Sequence, residues 1–303
     1  MSVDNHRRSD DAGVVDAGVA LRSSVLVFAG VDPSGGAGIA ADLQAVAAQG
    51  AHALTVVTAL TAQDNDRVFD VQPVETALVL RQARALVDKV AIAAVKIGIP
   101  GSAANARAIA GLIAQLRLRQ PELPVVLDPV LASGHGDLLS RDDAILALAP
   151  LLPLVTLLLP NGPEAQALTG LVDPAAQARE LRARGCQHVL ITGGHAVDRV
   201  ISTGMGNSDG IRSGSRAVND DNDSDEGDDI VNRWYGPGVE RQWRWPRLAG
   251  GFHGSGCTLA AAAAGLLAQG LSMTQALALA QIYCQRALGA SYAIAPGQRI
   301  PLR

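Results

Sequence analysis

Short apolar runs alternate with longer stretches of helical spacing along most of this chain. Residues 25–29 (VLVFA) are apolar at every position and stop at Gly30, the pattern of a strand buried on both faces. A helix follows over about 39–49, then an apolar, β-branched run over 53–60. Helical periodicity covers 74–89, 103–118 and 142–152, the last with Pro150 near its end. Strand-like runs stand between them at 94–97, 124–129 and 155–159, the last two closing at Pro129 and Pro160. Two helices over 163–168 and 174–184 lead to a strand over 188–191 that ends at Gly193 and Gly194. Strands that alternate with helices in this way read as βαβ units on a parallel sheet, an α/β fold with helices on both faces of a central, mostly parallel sheet.

The alternation breaks at about 204–230. The stretch NDDNDSDEGDD carries seven acids and no base, so it reads as a solvated loop insertion. It lacks the ligand spacing of a calcium loop. Residues 1–22 are polar and mixed in charge and read as a disordered extension without the apolar core of a signal peptide. That leaves one domain over 23–303. Trp234, Trp243 and Trp245 mark hairpin strands on the return from the insertion.

Composition narrows the function. Apolar residues make up 48% of the chain and aromatics only 3%, which suits helices on a parallel sheet. A net charge of −4 gives no basic footprint for nucleic acid. Without the seven acids of the insertion the rest would carry about +3, a bias toward an anionic ligand. The apolar stretch 256–268 is too short to span a bilayer, so no membrane partner is expected. Three widely spaced cysteines, Cys186, Cys257 and Cys284, form no CxxC pair and fit a reducing cytoplasm.

Chemistry concentrates where strands end. In FHGSGCTLAAAAAGLLAQG, Gly254, Ser255 and Gly256 precede a helix starting near Cys257. Glycine amides and the free N–H groups of a first helical turn form an anion nest. A thiol at that position feels the helix dipole, and its pKa of about 8.5 is expected to fall toward neutrality. The competing reading is a glycine turn with Cys257 as a small packed residue. GVDPSGGAGIAADLQ, residues 30–44, lies at the carboxyl end of a strand but has no lysine of a Walker loop. In LLLPNGPEAQAL, Asn161 and Glu164 read equally as a helix cap and as groups that order magnesium near phosphates. Asp128 ends a buried strand and needs a partner, either the amides of the next loop or a hydrated cation. His135 and His195 lie near such loops and receive no chemical role.

Seven segments fall in order: FAGVDPSGGAGIAADLQ, VVTALTAQD, VKIGI, VVLDPVLASGHGDLL, LLLPNGPEAQAL, VLITGGH and FHGSGCTLAAAAAGLLAQG. Together they resemble the hydroxymethylpyrimidine kinase/phosphomethylpyrimidine kinase family of thiamine biosynthesis, in the ribokinase-like superfamily. The resemblance implies a three-layer ribokinase-like fold and one site on the carboxyl edge of its sheet. It implies ATP and Mg2+ as cofactors, and two steps: phosphorylation of 4-amino-5-hydroxymethyl-2-methylpyrimidine, then of the monophosphate. Carried onto this chain, Gly254, Ser255 and Gly256 form the anion hole and Cys257 is the base. Gln63 hydrogen-bonds the pyrimidine, and Gly30 and Asp32 line its pocket. Asn161 and Glu164 match an N-x-x-E pair and Asp128 the acid of a DPV segment, both in a magnesium–phosphate role. Thr192 stands at the nucleotide where the family usually has lysine, and Ile99 where it often has methionine. Pyridoxal kinase and a non-catalytic pyrimidine-binding protein are the alternatives, and a homodimer is the assembly to test for.

Overall fold

The computed structural model describes residues 21–131, 144–194 and 229–303. The expectations for residues 1–20, for the acidic insertion up to residue 228, and for His135 and His195 lie outside the described residues.

Among the described residues nine strands form one sheet in the order β3-β2-β1-β4-β5-β6-β7-β8-β9. They are β1 Ser24–Val31, β2 His52–Gln63, β3 Val68–Pro73, β4 Ile92–Ile97, β5 Val125–Leu127, β6 Leu157–Leu158, β7 His188–Ile191, β8 Asp229–Gly236 and β9 Val239–Pro246. The six central strands, β2-β1-β4-β5-β6-β7, pair in parallel. The edges are antiparallel: β3 turns back on β2, and the β8–β9 hairpin pairs with β7. The helices are α1 Gly38–Ala48, α2 Thr76–Val87, α3 Ala103–Arg117, α4 Ala144–Leu148, α5 Gly162–Thr169, α6 Pro174–Ala183, α7 Ser255–Ala268 and α8 Met273–Gly289.

The period-2 geometry of β1 divides the core. Leu26 and Phe28 face a layer built from α2 to α6, whereas Val25, Val27 and Ala29 face α1, α7 and α8. Both faces are covered, which is why the run is apolar without alternation. Helix α7 lies across β1, β4 and β5 and against α1. Its alanines from 260 to 264 are fully buried. Small side chains allow that close approach: a methyl group built on Gly265 would lie 3.1 Å from Gln49 Cβ and 3.6 Å from Val46 Cα. Side-chain caps at Ser102, Asp173 and Ser272 set the starts of α3, α6 and α8, whereas no side chain caps α7.

Several boundaries differ from the periodicity. The helix expected from residue 74 begins at Thr76, because the preceding residues form the edge strand β3. Of the expected 142–152 helix, the described residues from 144 hold a short α4, a turn, and the start of a 3-10 turn at Leu152–Leu154, with Pro150 and Pro153 blocking a longer ladder. The expected end of the insertion, 229–230, starts β8, where Asp229 pairs with Pro246. Helix α8 was not anticipated at all.

Gly265→Leu is expected to force α1 and α7 apart and to cost about 1–3 kcal/mol, read as a lower urea midpoint at unchanged slope. An unchanged midpoint would show that the α1–α7 contact is slack.

Candidate active site

The strand order reverses direction around β1 and β4, and the carboxyl ends of the parallel strands open there into a cavity of about 480 Å3. All eleven residues singled out in the sequence line it: Gly30, Asp32, Gln63, Asp128, Asn161, Glu164, Thr192, Gly254, Ser255, Gly256 and Cys257.

One wall is the loop between β1 and α1. Asp32 is its hub: Oδ1 accepts from the Ser34 N–H at 2.8 Å, and Oδ2 accepts from Ser34 Oγ at 3.0 Å and the Ala37 N–H at 2.6 Å. His253 Nε2 lies 2.9 Å from the same Oδ2, and the Gln63 amide also hydrogen-bonds this carboxylate. Burial alone would raise Asp32, but the hydrogen bonds from His253, Gln63 and Ser34 and the attraction of His253 outweigh it. The carboxyl is held well below its usual range. Asp32 therefore lines the pocket mainly by holding the loop in shape. Gly30 leaves room for Ile99, whose Cδ1 would lie 2.7 Å from a methyl group there.

The opposite wall is the turn into α7. Gly254 sits in the left-handed region at φ +77, and a methyl group on it would run into the Gly36 carbonyl and lie 2.9 Å from Ala37 Cα. The two glycine loops thus touch. The first-turn amides of α7, at residues 255–257, have no partner within the helix.

The floor is charged. Lys96 and Asp42 form an ion pair at 2.8 Å with both side chains fully buried. Burial lowers Lys96, but the charges of Asp42, Cys257 and Asp128 prevail and the ammonium stays protonated. Asp128 is buried, with Oδ2 lacking any hydrogen-bond partner. Burial raises its carboxyl against the pull of Lys96 and a hydrogen bond from Cys257. Asn161 and Glu164 form a full capping box on α5, at 2.8 and 2.9 Å, so the structural reading of that pair holds. Burial and the charge of Asp128 nevertheless push the Glu164 carboxyl up to about 8.

Cys257 corrects the sequence expectation. It is half-buried at the cavity edge, yet its thiol is pushed up to about 12 rather than toward neutrality. Burial is the largest cause, and the carboxylates Asp128 and Asp42 add to it. Lys96 and a backbone hydrogen bond from Gly38 act the other way without prevailing. Desolvation and two neighbouring carboxylates outweigh the ammonium and the helix terminus.

Sequence reasoning missed His253 and Asp42, because their partners lie 221 and 54 residues away. Lys96 does not stand in for a lysine at Thr192. Lys96, on β4, is bonded to Asp42 of α1, and β7 is three strands away from β4, roughly 14 Å. Thr192 instead bridges in parallel to Asn161 at the ends of β7 and β6.

A family model described as phosphomethylpyrimidine kinase matches residues 32–301. The chain belongs to the phosphomethylpyrimidine kinase family. Its sequence is 34% identical over 280 residues to the hydroxymethylpyrimidine/phosphomethylpyrimidine kinase of Mycobacterium tuberculosis, covering 90% of each chain. Its structure resembles the phosphomethylpyrimidine kinase of Clostridium difficile, with a TM-score of 0.65, 28% identity, and coverage of 87% of this chain and 98% of that one. It also shares the fold of Staphylococcus aureus pyridoxal kinase in complex with AMP-PCP and pyridoxal, with a TM-score of 0.73, 24% identity, and coverage of 93% and 94%.

Gly254→Ala tests the contact between the loops. The left-handed backbone and the clash with Gly36 are expected to lower stability by about 1–3 kcal/mol and kinase turnover by about 100-fold. Urea unfolding and an ADP-release assay read the two effects, and wild-type values in both would contradict the stated geometry.

Proposed function

We propose that this chain transfers phosphate from ATP to the hydroxymethyl group of 4-amino-5-hydroxymethyl-2-methylpyrimidine, and then phosphorylates the monophosphate, as a step of thiamine biosynthesis. The observation that carries the reading is one cavity with two chemically distinct ends. Gln63, Gly30, Ile99 and the Asp32 loop bound a small end that suits a flat heteroaromatic ring. Asn161, Thr192 and Gly194 bound the end assigned to the nucleotide. The first-turn amides of α7 lie between, where negative charge builds as the phosphoryl group moves.

Mg2+ belongs to the same reading. Asp128 has an orphaned buried oxygen, and the Glu164 carboxyl is raised first by burial and then by the charge of Asp128. A divalent cation would relieve both. Among the described residues no cluster of three His, Cys, Asp or Glu side chains could cage an ion. The donor set therefore fits a cation that keeps waters and shares phosphate oxygens. Bound there, the ion would supply charge neutralisation at the phosphates.

Cys257 is the group placed to take the proton of the alcohol. Because its thiol is protonated at neutral pH, only a small thiolate fraction serves, and positioning and the amide nest carry more of the rate. The second phosphorylation begins from a phosphate oxygen that is already nucleophilic and needs this base less.

No described helix is long and apolar enough to cross a membrane. A cytoplasmic location and a homodimer complete the proposal, with the exposed Leu60 and Phe69 on the β2–β3 edge as the place to seek the dimer contact.

The deciding experiment is ADP release with hydroxymethylpyrimidine and with pyridoxal. Turnover with the pyrimidine at least tenfold above that with pyridoxal is expected. The reverse order would favour pyridoxal kinase, and no release with either would favour a binding protein. The first-step rate should climb with pH between about 7 and 9, because a base whose pKa is raised is still mostly protonated there. Cys257→Asp should flatten that climb, and Cys257→Ala should slow the first step more than the second. A flat wild-type profile, or equal loss in both steps, would remove the thiol from the proton's path.

A further inference from the structure

Residues 299–303 are threaded back against the loops that wall the active site. Arg299 pairs with the segment before α7, its N–H donating to the Gly251 carbonyl and its carbonyl accepting from the His253 N–H, both at 2.9 Å. Four residues on, Arg303 reaches both walls of the cavity at once. Its Nη2 donates to the Gly36 carbonyl at 2.5 Å and to the Gly254 carbonyl at 3.3 Å, and its Nε donates to Thr258 Oγ1 at 2.8 Å. Thr258 in turn donates to the Gly254 carbonyl through its N–H at 2.9 Å and its hydroxyl at 2.8 Å. One planar guanidinium therefore joins the loop shaped by Asp32 to the first turn of α7.

A second observation separates this from ordinary bracing. Nη1 of Arg303 is buried without a hydrogen-bond partner. Burying a cation with an unsatisfied nitrogen is costly, and an apolar plug could close the same space at less cost. Cys257 and Asp42 are among the groups whose charges act on this guanidinium, so the cation sits within the field of the reacting centre.

We propose that Arg303 is a positioning residue for phosphoryl transfer: its fork locks the α7 amides to the Asp32 loop, and so sets the spacing between the phosphoryl group and the hydroxyl that receives it. This rests on the kinase reading. A slip of about 1 Å between the two loops is enough to cost on the order of 100-fold in rate. The nucleotide end, at Asn161 and Thr192, makes no contact with Arg303, so ATP affinity should be spared. Lysine keeps the charge but cannot bridge two carbonyls and a hydroxyl as a planar fork.

The test compares the full-length wild type with Arg303→Met, Arg303→Lys and Thr258→Val. With hydroxymethylpyrimidine, kcat should fall about 30- to 100-fold in both Arg303 variants and several-fold in Thr258→Val, while KM for ATP stays within twofold. Wild-type kcat in Arg303→Met, recovery of wild-type kcat by Arg303→Lys, or a loss that lies wholly in KM for ATP would each overturn the proposal. Thr258→Val keeps the test decisive if the Arg303 variants do not fold, since an unchanged kcat there also overturns it. Amide hydrogen exchange needs no substrate. The peptide spanning 252–259 should exchange at least tenfold faster in Arg303→Met with the β1–β4 core unchanged, and unchanged exchange refutes the clamp. An inactive wild type would instead sink the kinase reading, leaving the exchange result to judge Arg303.

Discussion

The contact between Gly254 and the Gly36–Ala37 backbone is the constraint on which the rest of the site depends. Two loops from opposite ends of the chain meet there with no room for a methyl group. The approach is possible because the middle of α7, residues 260–265, is all alanine and glycine, which lets it sit low on β1, β4 and β5 and close to α1. A bulkier helix would lift the first-turn amides off the strand ends. The dull-looking run of alanines is therefore part of the active-site architecture, acting through distance rather than contact.

Placing that turn over the sheet also buries charge. Lys96, Asp42 and Asp128 lie together beneath Cys257, with Glu164 near Asp128, so carboxylates outnumber the cation. Such a cluster is poor for stability, since burial penalises each charge and only one ion pair compensates. It does suit a ligand that brings its own countercharge. The raised Glu164 and the orphaned oxygen of Asp128 are the marks of a site completed by something other than protein. Burial first, and then the same negative surroundings, keep the Cys257 thiol protonated, so the groups that would hold a cation work against the group that would take the proton.

Much of this was legible in the residues. The strands β1, β4, β5, β6 and β7 announce themselves as short apolar-rich runs closed by glycine or proline, and β2 as an apolar, β-branched run, because a parallel strand covered on both faces is predominantly apolar. All eleven candidate site residues line one cavity because they sit just past strand ends, and parallel strands bring those ends to one edge. The edge strand β3 and the helix α8 were not legible. β3 is half-exposed and lacks a continuous apolar run, and α8, though the longer of the two, follows a more uniformly apolar helix that dominates the local pattern.

Taken by itself, the sequence determined the α/β alternation, the family, and which loops carry the chemistry, because those depend on local periodicity and on short motifs that need particular backbone shapes. Tertiary structure alone decided what each side chain does there. Asp32 became a loop hub once His253 reached it, Lys96 was committed to Asp42, and Arg303 came to join two glycine loops. The thiol of Cys257 rose rather than fell, because a pKa reports every charge and every lost water within reach, and most of those neighbours are distant along the chain.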